Sequence, residues 1–164
     1  MLEKEQFEGF SFDAWDRTFE VNVTAPLILA HEIGLSMSTG ASIVNIGSTD
    51  AYIGSFRSIA YSASKAALLS VTRSLANVLG SRGIRVNAVT PGWVDSGILT
   101  EPYEAARLTP LGRNGKPDDI AKTVVFLLST DASFITGASL VVDGGYTGVD
   151  YFMKKEHEWA EPGK

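Results

Sequence analysis

Tyr61 and Lys65, in the run Tyr61-Ser62-Ala63-Ser64-Lys65, stand at the spacing that sets two side chains on one face of a helix. A phenol and an ammonium so placed form a proton-handling pair. The positive charge favours the phenolate and lowers the tyrosine from about 10 toward neutral pH. Such a group gives or takes a proton at an alcohol or carbonyl oxygen. Ser48 lies 13 residues before Tyr61, at the end of a predicted strand, where open α/β sheets place ligands. Pro91-Gly92 follow a second predicted strand and fall on the same sheet edge. His31 and His157 are the only histidines and cysteine is absent; these are too few ligands, and no metal site is expected.

The elements that must position these residues alternate along the chain. Ser11 caps a predicted helix with an apolar stripe of Trp15, Phe19, Val23, Leu27 and Ala30, running to about Met37. Pro26 removes one backbone donor within it, so a kink is expected near Asn22. Ser42 to Gly47 reads as a buried strand. A second helix runs from about Ala60 to Leu79 and stops at Gly80 and Gly83. Ile84 to Val89 is another strand, and 93–116 reads as irregular. Pro117 opens a helix carrying Ile120, Val124, Leu127 and Leu128. Ser139 to Asp143 is a last strand, ended by a turn at Gly144-Gly145. The tail 146–164 lacks periodicity, and Lys154-Lys155-Glu156 is expected to face solvent. This order predicts an α/β fold: a partial doubly wound, parallel, Rossmann-type sheet of three strands with flanking helices, one domain over 1–164.

In chain order, Glu20-Val21-Asn22-Val23, Ser48, Tyr61-x3-Lys65, Arg85-Val86-Asn87-Ala88-Val89-Thr90-Pro91-Gly92 and Val142-Asp143-Gly144-Gly145 resemble the classical short-chain dehydrogenase/reductase family. Leu111-Gly112-Arg113, Gly115 to Ala121 and Ile135-Thr136-Gly137 add to the match. The resemblance covers about residues 12–146, the family's C-terminal catalytic portion, and leaves 147–164 as a tail. It implies an NAD(P)-dependent oxidoreductase that moves hydride between nicotinamide and a carbonyl/alcohol substrate. Tyr61 would be the general acid/base and Ser48 would hydrogen-bond the substrate oxygen. Lys65 would hold the nicotinamide ribose, and Asn22 would position a water linking Lys65 to solvent. Pro91, Gly92, Val94 and Ser96, together with Tyr61 and Lys65, would contact the cofactor. Tyr52, Phe56, Trp93, Ile98, Leu99 and Tyr103 are loop residues that could line the substrate pocket. A homodimer or homotetramer, joined by helices 11–37 and 60–79 as a four-helix bundle, is also implied.

The chain departs from the family pattern in instructive places. None of its 16 glycines reproduces the Thr-Gly-x-x-x-Gly-x-Gly turn that cradles the cofactor pyrophosphate at a helix start. The acidic residue that reads the adenine ribose lacks a counterpart too, so NAD and NADP are both open. Gly47 stands where a second serine is common, and Ser96 where threonine is usual. Activity of the lone 164-residue chain is therefore expected to be negligible. The alternative is a non-catalytic, truncated remnant or subunit that retains oligomer surfaces. Net charge is −5 and no Lys/Arg block appears, which disfavours nucleic acid. No apolar run reaches membrane-span length and the N-terminus is acidic, so a cytoplasmic location is expected.

Overall fold

The computed structural model describes residues 7–56, 58–97 and 107–160, without the side chains of Glu8 and Glu158. Three parallel strands, β1 (Ser42–Ile46), β2 (Arg85–Pro91) and β3 (Ser139–Val142), lie in the order β1-β2-β3. Helix α3 (Ile59–Gly80) makes the first crossover and α4 (Pro117–Leu128) belongs to the second. Both faces of such a sheet must be covered, because parallel strands read as continuous apolar runs. Val86 to Thr90 in β2 is accordingly buried throughout. Ala76 and Leu79 of α3 pack with Ile84, Val86 and Ile43 on one face. Leu127 of α4 packs with Val89, Val44 and Leu140 on the other. The alternation of β1 follows: Asn45 Nδ2 donates to Thr72 Oγ1 of α3 at 2.9 Å, and Ser42 Oγ to the Leu127 carbonyl at 3.1 Å.

Before β1 the chain is helical from Phe12 to Gly34, but not as one regular helix. Ser11 Oγ accepts from the Ala14 amide at 3.2 Å and caps α1 (Phe12–Phe19). A π-turn, Glu20–Thr24, leads into α2 (Ala25–Gly34). The Ala25 amide reaches back to the Glu20 carbonyl, five residues away. Pro26 has no N–H to give to Asn22, and the widened turn absorbs that loss. The disturbance expected near Asn22 is thus a π-turn, and the helix ends at Gly34 rather than near Met37.

The tail corrects a second expectation. Tyr151–Ala160 forms a helix, α5, and Tyr146 bridges Trp93 and Tyr151 through edge-on ring contacts. Lys154 donates to the Arg107 carbonyl instead of standing free in solvent. Aromatic anchoring therefore orders a segment that has no apolar period of its own. Among the described residues no helix is long and apolar enough to cross a membrane.

The ends of β2 and β3 meet closely at Gly92. Its amide donates to the Val142 carbonyl at 3.1 Å, and a Cβ there would lie 2.6 Å from Asp143 Cβ and 2.9 Å from Asp143 Cα. The backbone at Asp143 cannot yield, because its carboxylate is tied to the amides of Gly145 and Thr147, each at 2.8 Å. Gly92→Ala should therefore cost about 1–3 kcal/mol of stability through overpacking. Urea unfolding checks this by a lowered midpoint; an unchanged midpoint would contradict the close approach.

Candidate active site

Parallel strands bring their C-terminal ends to one edge, and the loops that follow them converge there. After β1, Ser48 is extended and caps a short 3-10 turn, Thr49–Ala51, its Oγ accepting from the Asp50 amide at 3.2 Å. This Ser-Thr-Asp turn packs against α3, whose first turns carry Tyr61 and Lys65. The Ser48 hydroxyl lies close enough to the Tyr61 phenol to draw its pKa down. Lys65 Nζ lies 5.5 Å from the Tyr61 ring centre. Ser48, Tyr61 and Lys65 are thus brought together by the β1 end and one helix.

Asn22 approaches from the π-turn. Its Nδ2 donates to Ser64 Oγ at 3.0 Å, and Ser64 Oγ donates to the Tyr61 carbonyl at 2.7 Å. Asn22 and Lys65 also share one groove beside β1. At the β2 end, Val94 bridges to Gly115: the Gly115 amide donates to Trp93 and the Asp95 amide to Gly115. In a parallel bridge of this kind the peptide groups of Val94 itself face the other way. Ser96 is exposed on the same loop, while Pro91 and Gly92 are half-buried.

The electrostatics differ from the sequence expectation. Burial raises the Tyr61 phenol above 10, the Ser48 hydrogen bond pulls it down, and the Asp50 carboxylate raises it again. The Lys65 ammonium was expected to lower it, yet it is engaged elsewhere: Nζ donates to the Ile46 carbonyl at 2.8 Å. Burial lowers Lys65 itself and raises Asp50. Asp50 is the residue that sequence reasoning missed. Its signal was available, since Ser-x-Asp after a strand reads as a side-chain-capped turn that keeps the third residue near the serine.

The expected pocket wall is only partly found. Tyr52 OH donates to Ser139 Oγ at 2.9 Å, Phe56 is fully exposed and Trp93 packs on Tyr146. Ile98, Leu99 and Tyr103 lie outside the described residues. Gly47 has a steric reason: a Cβ there would sit 2.9 Å from Thr90 Oγ1 and 3.1 Å from Leu69 Cδ2. Thr90 Oγ1 is itself held by Ser139 Oγ at 2.6 Å, which closes the space a serine would need.

A family profile described as enoyl-(acyl carrier protein) reductase matches residues 1–147. The chain belongs to the short-chain dehydrogenase/reductase family. The chain is 42% identical over 149 residues to 2-(S)-hydroxypropyl-CoM dehydrogenase 3 of Xanthobacter autotrophicus, covering 83% of this chain and 58% of that protein. It is 38% identical over 144 residues to cyclohexanol dehydrogenase of an Acinetobacter species, covering 85% and 57%. A solved structure, that of a blue fluorescent protein from a metagenomic library in complex with NADPH, superposes with a TM-score of 0.83 at 38% identity, over 89% of this chain and 61% of the other. The chain therefore spans less than two thirds of each of these relatives, and its three-stranded sheet is part of their Rossmann-type fold.

The geometry makes a titration prediction. Tyr61 should ionise above pH 10, read as the near-ultraviolet absorbance difference between the native chain and Tyr61→Phe. Ser48→Ala removes a hydrogen bond that lowers the phenol and should raise it further; Asp50→Asn removes a repelling charge and should lower it. A Tyr61 transition below 10 in the native chain, or the opposite order of the variants, would refute this arrangement.

Proposed function

We propose that the chain carries the catalytic portion of an NAD(P)-dependent oxidoreductase acting on a carbonyl/alcohol pair. The observation that carries this reading is Tyr61 held between the Ser48 hydroxyl and the Lys65 side chain at the sheet's C-terminal edge. Ser48 binds the substrate oxygen and steadies charge that develops on it. Tyr61 gives its phenolic proton to that oxygen during reduction and takes it back during oxidation. Asn22, through Ser64, fixes the first turn of α3 and hence the aim of Tyr61.

The residues present fit a nicotinamide. The Val94 peptide groups, turned away from Gly115, suit a carboxamide, and Pro91, Gly92 and Ser96 complete that wall. Lys65 offers an ammonium to ribose hydroxyls. When bound, the cofactor supplies or accepts the hydride. NAD and NADP are equally compatible with these residues. The relatives named as dehydrogenases of hydroxypropyl-CoM and of cyclohexanol support a small-molecule alcohol as substrate, and exposed Ile28 and Val78 on α2 and α3 support association into a homodimer or homotetramer.

The test has two arms. The chain alone should bind NADH and NADPH only at millimolar strength or weaker, because no pyrophosphate cradle is encoded; about 4 kcal/mol of lost binding is about 10³-fold. Joined to the amino-terminal portion of the Xanthobacter relative, it should oxidise a secondary alcohol. Tyr61→Phe should then lower turnover about 10²–10⁴-fold with the fold intact. Lys65→Met should lower both turnover and cofactor affinity. A near-normal rate in Tyr61→Phe would end the assignment.

A further inference from the structure

The turn that carries Ser48 belongs to a closed ring of contacts through the sheet. Ser48 Oγ accepts from the Asp50 amide at 3.2 Å, so the hydroxyl oxygen goes wherever the turn goes. The turn is internally bonded: the Ala51 amide donates to the Ser48 carbonyl at 3.0 Å and the Tyr52 amide to the Thr49 carbonyl at 2.9 Å. A unit of this kind swings as one piece unless both of its ends are pinned. At its start, the Gly47 amide donates to the Val89 carbonyl at 2.7 Å. At its end, half-exposed Tyr52 sends its phenol across to β3, where the OH donates to Ser139 Oγ at 2.9 Å. Ser139 Oγ lies 2.6 Å from Thr90 Oγ1 on β2, and Thr90 Oγ1 is the atom against which Gly47 packs. Downstream the loop has little hold on the sheet: a Cβ on Gly54 would meet nothing within 4 Å, and Phe56 is fully exposed.

We propose that Tyr52 is a positioning residue: through the hydroxyls of Ser139 and Thr90, its phenol fixes the turn that presents Ser48. Thr90 is fully buried, and a hydroxyl at that depth needs a partner. Ser139 supplies it. A hydroxyl has one proton and two lone pairs, so Ser139 Oγ keeps an acceptor site for Tyr52 whichever of the two hydroxyls donates. Buried Thr90 thus holds Ser139 as a fixed acceptor, and the acceptor in turn fixes the phenol. A tyrosine suits the span, because only two torsions separate its hydroxyl from the backbone and little freedom is lost in holding it. α3 covers the turn on one side, and the phenol adds the constraint from the sheet. Removing the phenolic oxygen leaves the turn's own bonds intact but frees its far end, and Ser48 then drifts from Tyr61. In its catalytic consequence this rests on the function proposed above; the placement of Ser48 does not.

The experiment reads Tyr61 in the intact chain, as the near-ultraviolet absorbance titration of each variant minus that of the same variant carrying Tyr61→Phe. Every chain compared also carries Asp50→Asn, so that movement of that charge does not enter. Tyr52→Phe and Ser139→Ala should each raise the Tyr61 transition, by up to the rise that Ser48→Ala produces. The two together should raise it no further than either alone. Added to Ser48→Ala, Tyr52→Phe should shift nothing, because the group it positions is gone. A role in stability alone would lower the urea midpoint and leave Tyr61 in place. In the chain joined to the amino-terminal portion of the Xanthobacter relative, Tyr52→Phe should lower turnover about 10–10²-fold, with less change in the KM for the alcohol. It should cost little once Ser48 is replaced by alanine. An unmoved Tyr61 in Tyr52→Phe and Ser139→Ala, additive shifts, unchanged turnover, or loss of native circular dichroism in both variants would overturn the proposal. The expected shifts, together with a joined protein that transfers no hydride with either nicotinamide cofactor, would end the proposed function and leave this inference standing.

Discussion

Everything in the molecule hangs on β2. Its central residues are wholly buried and both edges are bonded, to β1 on one side and β3 on the other. Asn87, buried within it, is satisfied only because its amide donates to the Ile135 carbonyl at 2.8 Å and its oxygen accepts from the Ala138 amide at 3.0 Å. An unpaired amide at that depth would cost about 1–3 kcal/mol. Asn87 thus ties the loop that starts β3 to the centre of the sheet. Parallel pairing on both sides then obliges the loops after all three strands to open on one edge. Ser48, Pro91 to Val94 and the Gly144-Gly145 turn meet there for that reason.

The same arrangement explains why the site is assembled without being electrostatically tuned. α3 delivers Tyr61 to Ser48, but burial and the Asp50 carboxylate hold the phenol neutral. The charge that would favour phenolate is spent on a strand carbonyl. Position and ionisation are separate properties of this pair. The first depends on the sheet, and the second on burial and on the neighbouring Ser48 and Asp50.

Elements with a strong period or sharp punctuation were legible in the sequence. α3, α4 and the three strands follow from apolar spacing, from Pro117 at a helix start, and from glycines at strand and helix ends. The order of the site residues was legible because helical spacing and strand ends are local facts. What was not legible depended on distant partners. The π-turn at Glu20–Thr24 is one of several ways to absorb Pro26, and Asn22 within it bonds across to Ser64 of α3. α5 is held by Trp93 and Tyr146, far away in sequence. Gly47 looked like a mild departure until Thr90 and Leu69 were seen to occupy the space of a side chain. The partner of Lys65 was hidden for a related reason: spacing puts it beside Tyr61, but only the tertiary structure reveals that the Ile46 carbonyl lies within its reach.

The central claim is that Tyr61 handles the proton in carbonyl/alcohol chemistry. The pH dependence of hydride transfer tests it most directly, in single turnovers of the chain joined to the amino-terminal portion of a relative. The account predicts that alcohol oxidation rises with pH along the same curve as ionisation of the Tyr61 phenol, since the phenolate is the base. It also predicts that Asp50→Asn and Ser48→Ala displace the rate curve in the directions in which they displace the phenol. A rate profile indifferent to these variants, or one that persists in Tyr61→Phe, would contradict it.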